Sequence, residues 1–171
     1  MNDHNEALAV FATGLKNAHA MEKQALSILK PQASRIENYP DMRDRIEQHI
    51  SETEQQIQRL ETLFERIDEK HSGFKDMVLS MGGTMAALSH AAAGDEVLKD
   101  TFANYAFEHY EIAAYKSLIR IGDHLSIADA SDLLQQNLEE EELMAQWIDN
   151  HLALVSDQYL ALRETDQQAK R

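Results

Sequence analysis

The segment HAMEKQALSIL, residues 19–29, sets a glutamate where helix packing asks for an apolar side chain. Phe11, Leu15, Ala18, Ala25 and Leu29 recur at alternating spacings of four and three, and Glu22 falls on the same stripe. A bare carboxylate in a core is costly, so it must be protonated, paired or bound to a cation. Glu141 holds the equivalent place among Leu134, Leu138, Ala145, Ile148, Leu152 and Val155. Glu139, Glu140 and Glu142 beside it belong on other faces of a helix, so the run EEEE is largely solvated with one inward member.

A third segment admits two registers. One reads Leu98, Phe102, Tyr105, His109, Ile112, Lys116 and Ile119; the other reads Thr101, Tyr105, Glu108, Ile112, Tyr115 and Ile119. The second avoids burying Lys116 and turns Glu108 inward, with Glu111 three residues on along the same flank. In a fourth segment, His49 and Glu52 are also three apart and offer a nitrogen and a carboxylate to one point. Glu22 precedes Pro31 by nine residues and His49 follows Pro40 by nine, which sets them at similar heights in an antiparallel pair. Glu111 and Glu141 fall in the same middle layer. A faint repeat aligns HAMEKQALSIL with EHYEIAAYKSL, matching Glu22 to Glu111 and His19 to Glu108, as if two half-bundles each supplied ligands.

Carboxylates with one or two histidines suit iron or manganese, and divalent ions cancel the repulsion of several acids in a dry layer. The expected ligand set is Glu22, His49, Glu52, Glu108, Glu111 and Glu141, holding one or two ions. The competing reading pairs single seam acids with Lys23, Lys116 or Arg59. His19 and His109 are expected to be packed or exposed, and Tyr105 and Tyr115 to be core residues able to bond a ligand carboxylate.

These residues need long helices to carry them. The chain of 171 residues has only two prolines and six glycines, and it lacks the β-branched alternation of strands. Four helices are predicted, from about Glu6 to Lys30, Asp41 to Glu69, Asp95 to Ile121 and Ser126 to Leu162. The first should stop at Pro31, Asp41 should cap the second, and the tail RETDQQAKR should fray. Gly14 inside helix one should cost about 1 kcal/mol unless close packing needs it. Residues 70–94, with Met77, Met81, Met85 and paired glycines, form a connection long enough to cross a bundle, with a short extra helix. The architecture is all-α: one ferritin-like four-helix domain with a long crossover.

Thirty acids against sixteen bases give a formal net charge of −14, which repels nucleic acid and anionic membranes and attracts cations. With no cysteine, thiolate zinc, iron–sulfur and disulfide chemistry are excluded. No secretory signal or membrane span is legible, so a cytoplasmic protein is expected. The apolar, irregular stretch 73–94 would be partly exposed on a lone bundle, which predicts a homodimer.

The segments AMEKQAL, HISETEQQIQRLE, EHYEIAAYKSL and LEEEE resemble the bacterial YciE/YciF family of ferritin-like, stress-associated proteins, with HAMEKQ and MAQWI nearest the YciE branch. The resemblance implies a ferritin-like bundle, a dimer, and a metal site at Glu22, Glu52, Glu108, Glu111 and Glu141. Two departures bear on a second metal. Ala145 stands where the family often has aspartate, and Met144 stands where the ferritin-like Glu-x-x-His pattern has histidine. Three functions compete: a dimetal protein reacting with oxygen or peroxide under stress, a non-catalytic structural or interaction protein, and iron storage, which requires a shell.

Overall fold

The computed structural model describes residues 2–70 and 93–170, which form helices α1 (Asn2–Arg35), α2 (Pro40–Lys70), α3 (Glu96–His124) and α4 (Ala128–Glu164). No strand occurs among the described residues. The predicted crossover helix and most of the apolar stretch behind the dimer expectation fall at residues 71–92, outside them.

Short links make α1–α2 and α3–α4 hairpins, and α1 also packs on α3 and α2 on α4. Gln32 meets Asn104 while Gly14 lies against Leu118, so α1 and α3 run antiparallel. Asn38 meets Gln158 while Arg59 meets Asn137, so α2 and α4 do too. It follows that α2 ends and α3 begins at opposite ends of the bundle, the ferritin-like order with one crossover. Two apolar clusters close the ends. One centres on Phe11, Leu15, Leu60 and Leu134, the other on Leu29, Tyr39, Ile46 and Ile148. Each such side chain contributes about 1.5–3 kcal/mol on burial, which lets the fold tolerate a polar layer between them.

The second register of α3 is the observed one: Thr101, Glu108, Ile112 and Tyr115 are buried, while Phe102, His109 and Lys116 are exposed. Besides shifts of a few residues at other helix ends, three departures from expectation bear on the packing. Helix α1 runs through Pro31 to Arg35. A proline inside a helix costs about 3 kcal/mol, but the extra turn buries Ala33, bonds Gln32 to Asn104 at 2.9 Å and brings Arg35 to Glu96 at 2.6 Å. Helix α2 starts at Pro40, a residue suited to the first helical position, so Asp41 lies within the first turn. The polar tail, expected to fray, folds back beside α3. The Lys170 carbonyl accepts from Val97 N at 3.0 Å, and the Ala169 carbonyl accepts from Tyr39 Oη at 2.7 Å. Side-chain polarity carried little sign of this, because backbone carbonyls make the docking hydrogen bonds, with buried Ala169 and a 3.4 Å ion pair from Lys170 to Glu96 beside them.

At Gly14 α1 and α3 are in close contact: a Cβ there would lie 2.6 Å from Leu118 Cδ2. In an open helix Gly14→Ala would gain about 1 kcal/mol. Here Leu118 is buried among its neighbours, so the variant is expected to unfold in less urea than wild type, by about 1 kcal/mol in stability.

Candidate metal centre

His49 is the hub of the polar layer. Its ring is buried at the centre of the inner face of α2, where Nε2 lies 3.3 Å from Glu108 and 3.4 Å from Glu141. Glu111 completes the group: His49, Glu108, Glu111 and Glu141 each place a ligand atom within 4.8 Å of the others, and all four are buried. This arrangement could hold a metal ion. Three helices converge on it because α3 supplies two acids one turn apart while the neighbouring helices α2 and α4 supply one residue each.

Glu52 stands behind His49. It accepts from His49 Nδ1 at 2.9 Å, and from Arg45 Nη1 and Gln48 Nε2 at 2.9 and 2.7 Å. Burial alone would raise the Glu52 pKa, but these donors hold it down to about 2. An ionised Glu52 on Nδ1 leaves Nε2 as the ring atom that addresses the cluster. Burial would lower the pKa of His49, yet Glu108, Glu141 and Glu52 together raise it well above the ordinary histidine value.

Glu22 is fully buried and accepts a hydrogen bond from Tyr115 Oη. Asn137 Nδ2 donates to the same Tyr115 oxygen at 2.9 Å, and Arg59 fixes Asn137 Oδ1 at 2.9 Å while clamping Glu140 with two bonds of 2.6 and 2.8 Å. Glu22 therefore has one oxygen tied from behind; its Oε2 has no protein partner. Burial, then repulsion from Glu141, raises the Glu22 pKa well above the carboxylate range. Burial followed by Glu141, Glu22 and Glu108 does the same to Glu111, and burial leads in pushing Glu141 up to about 8.

The basic residues offered as partners for the seam acids go elsewhere. Lys116 pairs with Glu142 at 2.6 Å, Arg59 with Glu140, and Lys23 is exposed. Of the run EEEE, only Glu141 is buried. His19 pairs with Glu61 at 3.1 Å and stands edge-on to Phe64, while His109 is exposed against Tyr105. The pattern of apolar residues missed Gln56, which is fully buried with neither amide atom bonded, and Asn137. Their signal was positional: Gln56 lies seven residues after His49, two turns along one face.

A family model described as a domain of unknown function, DUF892, matches residues 6–161. The chain belongs to the DUF892 family. YciF of Escherichia coli strain K12 is 29% identical over 139 residues, covering 78% of this chain and 82% of YciF. This is the YciE/YciF-type family that the sequence motifs resemble, although likeness to YciF does not separate its two branches. The crystal structure of a protein from Xanthomonas campestris pv. campestris superimposes with a TM-score of 0.75 at 30% identity, covering 92% of this chain and 99% of that one. YcfI from Rhodopseudomonas palustris has the same fold, with a TM-score of 0.61 at 23% identity over 82% of this chain and 90% of YcfI. No helix among the described residues is long and apolar enough to cross a membrane.

Proposed function

We propose that this DUF892 chain is a ferritin-like metal-binding protein whose bundle core holds one or two iron or manganese ions and meets oxygen or peroxide during stress. The observation that carries the reading is the set of buried oxygens without a hydrogen-bond partner: Glu22 Oε2, Glu108 Oε2, Glu111 Oε1 and both oxygens of Glu141, with the single His49 ring between several acids. Buried carboxylate oxygens in native proteins are almost always satisfied, and a hard divalent ion satisfies several at once. The donor set fits such an ion. His49, Glu108, Glu111 and Glu141 would hold it, and Glu22 would serve a second ion or a bridge. When bound, the metal would supply Lewis acidity and one-electron chemistry in a dry site.

The chain's own residues prepare that site. Glu52 fixes the His49 ring through Nδ1 so that Nε2 faces the ligands. Tyr115, steadied by Asn137, holds Glu22 by one oxygen and leaves the other for the centre. The apolar clusters at either end flank the layer and lower its effective dielectric, which strengthens every charge interaction within it.

The working unit in this reading is a cytoplasmic homodimer. Phe102, Tyr110, Leu143, Leu154 and Leu160, all more than half exposed, supply apolar surface for a second subunit. A non-catalytic structural protein with a vestigial acidic core is the second reading. Met144, buried on α4 where a second histidine would stand, favours it.

Metal analysis of protein purified without chelator distinguishes them. Glu141→Ala is expected to lower iron or manganese stoichiometry, whereas Glu139→Ala, on the exposed face, is not. Glu52→Gln should keep the stoichiometry at saturation but weaken affinity by roughly 10–100-fold. Equal losses from Glu139→Ala and Glu141→Ala would mean that the acidic surface binds cations without a centre.

A further inference from the structure

A cavity of about 70 Å³ lies between α1 and α3 and opens toward solvent. Ala25 and Ala103 face it with methyl groups, Phe107 adds an aromatic wall, and Gln32 and Asn104 line it with amides. Those two amides bond each other at 2.9 Å, tying the helices together beside the opening. Glu108 also lines the cavity, and it is the member of the buried group that does so; His49, Glu111 and Glu141 do not. Glu108 Oε2 has no hydrogen-bond partner and lies 3.3 Å from His49 Nε2. The cavity thus opens at the surface and has one residue of the centre, Glu108, in its wall.

We propose that this cavity is the port through which a small uncharged ligand, of dioxygen or peroxide size, reaches the metal centre from the Glu108 side. The proposal rests on the metal reading above and names the ligand class of that site. The walls decide the class. Ala25, Ile28, Leu29, Ala103 and Phe107 make most of the wall apolar, and the amides of Gln24, Gln32 and Asn104 carry no net charge, so the wall suits an uncharged ligand better than a hydrated divalent ion. An uncharged diatomic loses little on entering an apolar cavity, and peroxide can bond the amides of Gln32 and Asn104. Glu108 is the one charged group on the lining, so nothing at the mouth gathers cations despite the acidity of the whole chain. Small residues at positions 25 and 103 keep the path open; any larger side chain there closes it.

Three measurements on the full chain test this. Crystals pressurised with xenon should show the gas between Ala25 and Ala103 in wild type and not in Ala103→Leu. Iron stoichiometry should be the same in both proteins. Association of nitric oxide with the ferrous protein, an uncharged probe of dioxygen size, should be roughly tenfold slower in Ala103→Leu. Phe107→Ala, which widens the opening, should bind nitric oxide at least as fast as wild type and guards against misfolding of the first variant. Wild-type nitric oxide kinetics in a leucine variant that excludes xenon would overturn the port and leave the metal reading intact, as would slowing by Phe107→Ala. A wild-type protein that takes up no iron would overturn the metal reading and the port with it.

Discussion

Metal-free protein is expected to lose stability as pH rises from about 5 to 8, and divalent manganese is expected to reverse that trend. Burial is the main reason that Glu22, Glu111 and Glu141 hold protons more tightly when folded, and repulsion from neighbouring carboxylates adds to it. For Glu141 the folded value is about 8 against an ordinary 4.5. Between those values the folded state binds a proton that the unfolded chain releases, so unfolding free energy falls by up to about 1.4 kcal/mol per pH unit. Glu141 alone accounts for a loss on the order of 3 kcal/mol across the window. His49 acts in the same direction. Its raised pKa gives stability that is complete below its unfolded value of 6.5 and lost as pH rises through the folded one. Glu52 acts oppositely and elsewhere: held at about 2, it gives stability that is present above 4.5 and lost as pH falls toward 2. The optimum of the metal-free protein therefore lies near pH 5. A divalent ion binds only the deprotonated ligands of the folded state, so its stabilisation grows with pH and reaches about 2.7 kcal/mol at a hundredfold excess over Kd. Urea unfolding at pH 5, 6.5 and 8, with chelator and with manganese, measures both slopes. Stability that climbs with pH in chelator would mean that the cluster is neutralised by protein cations.

The bundle was legible because α1, α3 and α4 carry buried apolar residues at helical spacing and because two prolines and a glycine-rich stretch punctuate the chain. What misled was local signal overruled by tertiary contact. Pro31 marks a stop by every backbone rule, yet Gln32 and Arg35 find partners on α3 that hold the next turn in place. The tail looked solvated because its side chains are polar, while its docking uses carbonyls that every residue possesses.

At the centre, inward acids on apolar stripes stood out because a glutamate between two alanines needs a partner or a cation. Helix α2 was harder. Its apolar residues Ile50, Ile57 and Phe64 lie at the margin of the buried face, whereas His49, Gln56 and Leu63 hold its middle. An apolar count therefore centres the stripe about one residue off, which made Glu52 look as inward as His49. The division of labour between them, one facing the cluster and the other bonding Nδ1 from behind, depends on rotamers and on Arg45, neither of which spacing encodes. Tyr115 shows the reverse case: the residue types allowed a bond to a buried carboxylate, and Glu22 receives it.

Glu141→Leu should separate function from folding most sharply. The side chain is fully buried on the seam of α4, with buried Leu138 and Ala145 one turn to either side. Both of its oxygens lack hydrogen bonds, and its charged-group neighbours include Glu108 as well as His49. Leucine of similar size would remove the desolvation cost and the repulsion at once. His49 would keep Glu108 at 3.3 Å and Glu52 at 2.9 Å, so the substitution does not strand a buried cation. Replacing an ill-satisfied buried ion by a packed apolar side chain is worth about 1–4 kcal/mol in favourable cases. At pH 8 the metal-free variant should be more stable than wild type by ~1–3 kcal/mol. At pH 5, where Glu141 is already protonated, the gain should shrink, because only the charged form pays the full cost of burial. Manganese should no longer raise the melting temperature. Glu140→Leu, at the preceding residue, should do the opposite: it removes both hydrogen bonds that Arg59 donates to the Glu140 carboxylate and should destabilise the protein at either pH while sparing the metal response. Thermal melts of the two variants and wild type, with and without manganese, give the comparison. A Glu141→Leu protein that melts below metal-free wild type at pH 8 would make Glu141 a structural partner of His49, and α4 would then contribute no ligand.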